Sequence, residues 1–251
     1  MFTVDVIIPS KTALEYETMT SDCISSLRAS EKNIAFNVVI IESEAPHAAK
    51  YVGQDHTIYW KRDAFNYHGA LNLGIKATQN EWVVLANNDL IFHPGWFSEI
   101  VRVHGLHPHI HSFSSWTSYW QWHEQAFAAD LDRVKKADAV LGYRAIDELA
   151  GWCLTVRREL LNRLNLRETV DFYYSDRIYA DELLKIDMKH ALVVKSRVDH
   201  VAHVTLRHQD GCKELGNEGQ LAKYLKYQTE EERINWDKYE ESRKLNGISL
   251  I

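Results

Sequence analysis

The strongest constraint on this chain is the way short, wholly apolar segments alternate with stretches of helical period. From Val4 to Ile8 the sequence is β-branched and runs into Pro9, which has no N–H for a ladder. The strand is therefore expected to end there, with Pro9, Ser10 and Lys11 opening a loop. Between Thr20 and Ala29, apolar residues recur at helical spacing (Cys23, Ile24, Leu27), and Val38 to Ile41 supplies a second apolar run, completing a βαβ unit. The pattern repeats with a strand at Thr57 to Trp60, a helix through Ala70, Leu71, Leu73, Gly74 and Ala77, and a strand at Trp82 to Ala86. Further strands are expected at Leu149 to Val156 and Leu192 to Val194, with helices at Asp130 to Lys136 and Arg157 to Leu164. Alternation of this kind implies an α/β fold around a mostly parallel sheet.

The 251 residues are enough for one large core, and 45% hydrophobic with 25% charged residues is the balance of a folded protein. A formal charge of −6 argues against broad binding to nucleic acid or anionic lipid, which needs a basic footprint. No run reaches the roughly 18 apolar residues of a membrane helix, and the N-terminus lacks the pattern of a signal peptide. Cys23, Cys153 and Cys212 are odd in number and widely spaced, so neither a disulfide framework nor a CxxC metal cluster is expected, and a reducing cytoplasm suits them best. From Asp210 the composition becomes charge-rich. Residues 1–209 are read as the sheet domain and 210–251 as a helical extension lying outside the sheet.

In open parallel sheets ligands bind beyond the carboxyl ends of the strands. The residues there are Ser10 and Lys11, Glu42 and Ser43, Lys61 to Asn66, and Asn87 to Asp89. Neither GxGxxG nor GxxxxGK[ST] occurs, so a bound phosphate must be neutralised in some other way. Asp89, delivered by an apolar strand, is a candidate ligand for a hard cation such as Mg²⁺ or Mn²⁺, which takes carboxylate and phosphate oxygens together. The segment His107 to Glu124 is crowded with aromatic and histidine side chains. It suits either a partly exposed recognition surface or a set of rings capping the core edge.

Several segments, in order, resemble the inverting nucleotide-sugar transferases of glycosyltransferase family 2. VDVIIPSK is similar to the family's opening strand and its proline; FNYHGALNLGIKATQNEWVVLANNDLIFHPGWF to its Asn-rich helix start and its strand ending in a DXD variant. AGWCLTVRRELLNRL resembles the small-residue strand and basic helix before the catalytic acid, and FYYSDRIYADEL with HALVVKSRVDHVAH resembles the acidic motif and later histidine. The likeness covers residues 4 to about 205. It implies a GT-A fold, a Rossmann-like sheet flanked by helices, with a helical C-terminal extension.

By the same resemblance, Asp89 matches the metal-binding acid, and Asn87 stands where the motif usually has its first Asp. Pro9, Ser10, Glu42, Asn66, Asn72, Asn88 and Gly151 fall at donor-side positions. Asp176 matches the general base, with Asp171, Asp181 and Glu182 nearby as competitors. His200 matches a histidine of the metal shell or diphosphate site, with His203 as its competitor. The implied activity is transfer of a sugar from a nucleotide-sugar, most often a UDP-sugar in this family, to a hydroxyl of a glycan, glycoconjugate or other acceptor, assisted by Mn²⁺ or Mg²⁺. The acidic charge disfavours a nucleic-acid acceptor. The competing readings are a nucleotidyltransferase, which calls for a glycine-rich basic loop after the first strand where only PSK stands, and a non-catalytic nucleotide-sugar or glycan-binding module.

Overall fold

The computed structural model describes residues 2–10, 14–43, 51–61, 64–201 and 217–251. Its strands are β1 (Phe2–Ser10), β2 (Ile34–Glu42), β3 (His56–Tyr59), β4 (Trp82–Ala86), β5 (Leu90–Phe92), β6 (Ser112–Trp116), β7 (Ala139–Leu141), β8 (Cys153–Arg157), β9 (His190–His200) and β10 (Ser249–Leu250). Its longer helices are α1 (Leu14–Ser30), α2 (Tyr67–Lys76) and α3 (Trp96–Leu106). Three short ones follow, α4 (Trp122–Ala126), α5 (Leu131–Val134) and α6 (Arg158–Leu161), then α7 (Ser175–Lys185) and a C-terminal pair, α8 (Asn217–Tyr227) and α9 (Glu230–Asn246). Among the described residues the strands form one sheet of order β10-β7-β9-β6-β8-β4-β1-β2-β3, with β5 pairing β9 beside that path. Only β7, β8 and the short β5 run against the rest, so the architecture is mixed α/β with a mostly parallel sheet.

Alternation along β1 divides the core. Val4, Val6 and Ile8 face Cys23, Ile24 and Leu27 of α1 and Trp96, Phe97 and Ile100 of α3. Ile7 faces the other way, into Ala70 and Leu71 of α2 and Tyr179 and Leu183 of α7. Two apolar faces covered by helices are what a parallel sheet requires. The helix α2 lies so close to β1 that a Cβ on Gly74 would stand 2.4 Å from the Ile7 side chain. That position has no room for a larger residue.

Four expectations are corrected. β1 runs through Pro9 to Ser10 instead of ending at Pro9: its pairing with β4 stops at Ile7, and from there it pairs only with β2, Pro9 opposite Ile41. Beyond Ile7 a missing N–H no longer interrupts a two-sided ladder. The aromatic segment hides a central strand, β6, whose polar sequence SFSSW masked it. Its buried hydroxyls are satisfied internally: Ser112 Oγ lies 2.7 Å from Tyr179 Oη and from His190 Nδ1, Ser114 Oγ lies 2.9 Å from His190 Nε2, and Ser115 bonds Ser196. β9 is longer than its apolar centre, extending to His200.

The fourth correction concerns residues 210–251, which do reach the sheet. Ser249 and Leu250 pair with Leu141 and Val140, and α9, started by a Thr229–Glu232 capping box, buries Trp236 to 4% exposure. Among the described residues, no helix is long and apolar enough to cross a membrane.

Candidate active site

The carboxyl ends of β1, β2 and β4 meet in a buried polar knot. Ser10 Oγ bonds Thr20 Oγ1 and Tyr51 Oη, each at 3.1 Å, and Tyr51 Oη donates to Glu42. The Asn88 amide donates to Ser10 Oγ at 3.3 Å and to Thr20 Oγ1 at 3.1 Å. Ser10, Glu42 and Asn88 are thus brought together at one edge and locked in orientation, since buried polar groups hold their geometry only when partnered. Pro9 is buried one residue below them.

Beside this knot, Asp89 and His200 converge. β5 begins immediately after Asp89 and pairs antiparallel with β9, Leu90 opposite His200, and Val201 N–H donates to the Asp89 carbonyl at 3.0 Å. The ladder itself therefore sets the two side chains next to each other. His200 Nε2 lies 3.1 Å from Asp89 Oδ1, yet that buried oxygen accepts no hydrogen bond. The imidazole is stacked on Trp152, ring centroids 5.2 Å apart and planes 14° from parallel. Asn87 closes the cluster: Nδ2 is 3.4 Å from His200 Nε2, and Oδ1 accepts from Tyr67 Oη at 2.9 Å. A buried carboxylate oxygen without a hydrogen bond, facing an imidazole nitrogen, is a donor pair suited to a divalent cation whose remaining positions are filled by phosphate oxygens and water. Among the described residues no group of three or more such ligands occurs, and His203, the other candidate, lies outside them, as do Lys11 and Cys212.

Asp176 occupies the first turn of α7, a favourable place for a carboxylate on the helix dipole. Its Oδ1 accepts from the Arg177 N–H at 2.8 Å. Burial pushes its pKa up, against the lowering effect of that hydrogen bond. Gly151 explains the close seat of this acid: a Cβ there would stand 2.5 Å from Asp176 Cβ. The glycine makes room for Asp176 itself. Tyr67 connects the two acids, because its hydroxyl, deeply buried and raised in pKa chiefly for that reason, also feels the charges of Asp89 and Asp176.

The other named residues go elsewhere. Asn66 is the N-cap of α2, accepting from Gly69 N–H at 2.8 Å and donating to the carbonyls of Val170 and Glu168. Asn72 donates to the Leu166 carbonyl at 2.9 Å. Asp181 is enclosed by Trp236, Tyr224 and Arg167, and burial pushes its carboxyl up to about 6. Glu182 accepts from the Asn165 N–H. Asp171 binds Gln220 and Lys223. Among the aromatic residues Trp116 is core, at 1% exposure, whereas Trp120 and Trp122 stand out at 68% and 42%.

Thr20, Tyr51, Tyr67 and Trp152 also contact the candidate site residues, and the sequence alone does not single them out. Tyr67 and Trp152 each adjoin a named residue, Asn66 and Gly151, which was the available signal. Thr20 and Tyr51 carried none, being placed by packing alone.

Residues 5–164 match the sequence profile of glycosyl transferase family 2. The comparison with curated proteins gives no match. Among solved structures, one described as a mycobacterial protein superposes with TM-score 0.59 at 16% identity, covering 89% of this chain and 74% of that one. Glucosyl-3-phosphoglycerate synthase from Mycobacterium tuberculosis, in complex with Mn²⁺, uridine diphosphate and glucosyl-3-phosphoglycerate, gives TM-score 0.57 at 17% identity over 90% of this chain and 79% of its own. The same enzyme with Mn²⁺, uridine diphosphate and phosphoglyceric acid gives 0.58 at 16% identity, covering 90% and 78%. At these identities the likeness is one of fold.

Proposed function

The chain belongs to glycosyl transferase family 2, and from that premise we propose that it moves a sugar from a UDP-sugar to an acceptor hydroxyl by a single inverting displacement. The observation that carries this reading is the buried Asp89 Oδ1, which accepts no hydrogen bond and stands 3.1 Å from His200 Nε2 at the strand edge. These two side chains would hold Mn²⁺ or Mg²⁺, which supplies charge neutralisation to the departing diphosphate. Glu42, Ser10 and Asn88 form the floor on which the nucleoside lies, preorganised by Tyr51 and Thr20. The structural neighbours that carry UDP and Mn²⁺ on the same fold support this choice of donor and cation.

Asp176 removes the proton of the acceptor hydroxyl as it attacks the anomeric carbon from the side opposite the leaving group. Its raised pKa strengthens it as a base near neutrality. Asp181 is unsuited to that role, because its two oxygens are turned into Trp236, Tyr224 and Arg167. The exposed indoles of Trp120 and Trp122 offer faces on which an acceptor sugar ring can stack, with Trp116 removed from that surface by its burial.

A thermal-shift panel of nucleoside diphosphates and nucleotide-sugars, each with Mn²⁺ and with EDTA, tests the reading. UDP and a UDP-sugar should raise the melting temperature only with the cation, since a ligand that binds the native state alone stabilises it. Stabilisation by no nucleotide, or equal stabilisation under EDTA, would sink it.

A further inference from the structure

The helix that carries Asp176 starts on an unfavourable backbone. Tyr174, its N-cap, has φ +67°, a left-handed conformation that side-chain-bearing residues rarely adopt and that persists only where the surroundings impose it. Those surroundings come from α8. The Tyr224 ring is stacked on the Tyr174 ring, centroids 5.6 Å apart and planes 13° from parallel. The Tyr224 hydroxyl donates to Asp181 Oδ1 at 3.2 Å and accepts from Gln228 Nε2 at 2.9 Å. Tyr224 is 5% exposed and packs with Val170 and Ile178.

The same helix holds the approach to Tyr174. Gln220 accepts from the Asp171 N–H at 2.9 Å and donates to Asp171 Oδ2 at 2.8 Å, and Lys223 Nζ lies 2.5 Å from that oxygen. The Asp171 carbonyl in turn accepts from Tyr67 N–H at 2.8 Å. Contacts from α8 therefore bracket Asp176, at residues 171 and 174 before it and at 178 and 181 after it. Both α7 and α8 lie beyond residues 5–164, the stretch shared with the family profile.

We propose that α8, through Tyr224, is the positioning element that holds Asp176 in its working orientation, so that a segment outside the shared family region sets the efficiency of the base. The proposal rests on the reading of Asp176 as that base. The titratable groups around the acid are Arg177 and Tyr179 on its own helix and Tyr67 and His68 on α2, the two tyrosines and the histidine sharing a small cavity with it. None of these is supplied by α8, so α8 acts on the position of Asp176 and not by direct contact.

The experiment is a carboxyl ¹³C NMR titration of Asp176 in the full chain, its resonance identified by its loss in Asp176→Asn. Tyr224→Ala, Tyr224→Phe and Tyr174→Gly are compared with the parent. Tyr174→Gly guards against a variant that fails to fold, because glycine adopts φ +67° readily while lacking the ring. In Tyr224→Ala and Tyr174→Gly the Asp176 titration should fall from its raised position toward the ordinary carboxylate range as the first turn opens to water. Tyr224→Phe, which keeps the stack, should stay nearer the parent. Calorimetric binding of UDP with Mn²⁺ should be unchanged, while cleavage of UDP-glucose slows by about 10- to 100-fold, the expected cost of misplacing a reacting group by about 1 Å.

An unmoved Asp176 titration in both Tyr224→Ala and Tyr174→Gly overturns the proposal. Full turnover by Asp176→Asn overturns instead the assignment of the base.

Discussion

The Asp89–His200 side of the candidate site and the Asp176 side are held by different kinds of contact. Asp89 and His200 are neighbours because β5 and β9 pair, Leu90 against His200, and Ser10, Glu42 and Asn88 stand at the ends of adjoining strands. Backbone hydrogen bonds set those positions, so each follows from the strand's own sequence plus one register. Asp176 sits on a helix whose place is decided by side chains from elsewhere: the missing Cβ of Gly151, the ring of Tyr224 and the indole of Trp236. The ladder side should be robust to remote change and the packed side sensitive to it.

Asp176→Asn should break the packed side most severely. The amide keeps the shape but cannot take the proton, so kcat should fall by about 10² to 10⁴, with UDP binding by calorimetry unaltered. A loss shared equally between turnover and UDP affinity would erase the proposed division of labour.

Trp236→Ala removes a buried indole that donates to Asp181 Oδ1 at 2.5 Å and lies under the Arg177 guanidinium at 3.4 Å. Urea unfolding should show a loss of about 3 to 5 kcal/mol. For the same reason removal of residues 210–251 should abolish cooperative unfolding; a stable, cooperatively folding 1–209 fragment would mean that α9 is dispensable.

Asp89→Ala should sharpen the contrast from the ladder side. UDP affinity in Mn²⁺ should weaken by roughly 10- to 100-fold, the range of about 1.5 to 3 kcal/mol for contacts to a charged group, and the remaining binding should no longer respond to EDTA. Unfolding should be little changed. Retention of a full Mn²⁺ effect would place the cation elsewhere.

Gly151→Ala introduces a Cβ 2.5 Å from Asp176 Cβ, and overpacking of this kind typically costs about 1 to 3 kcal/mol. Turnover should suffer while UDP binding holds.

The smallest effect concerns pH. Burial raises Asp181 from the ordinary carboxylate value of 3.8 to about 6, so between those values the folded state binds a proton that the unfolded state has released. This contribution to stability is present in full below about pH 4 and is lost as pH rises through 6. Comparing urea unfolding of Asp181→Asn with the parent from pH 4 to 6.5 should show a weaker decline in the variant; parallel curves would show that Asp181 does not titrate there.

Taken alone, the sequence determined the parallel α/β class, the strand ends from which Ser10, Glu42 and Asn87 to Asp89 project, and a family likeness that named Asp176 and His200. It could do so because apolar periodicity and strand-end chemistry are local: each depends on residues a few places apart. Only the tertiary structure decided the rest. Strand β6 was illegible because its serines look like a loop until His190, Tyr179 and Ser196 are brought against them. That Asn66 caps α2 is visible only once Gly69 N–H is folded onto its side chain. Glu42 became part of a network only when Tyr51 arrived, and Gly151 acquired its reason only when Asp176 was set beside it. The charged C-terminal segment reads as surface helix, since 16 charged residues against four aromatic rings is what a solvated helix looks like from its sequence. That Trp236, Tyr224 and the final strand turn inward depends on partners more than 40 residues away along the chain, which no local pattern encodes.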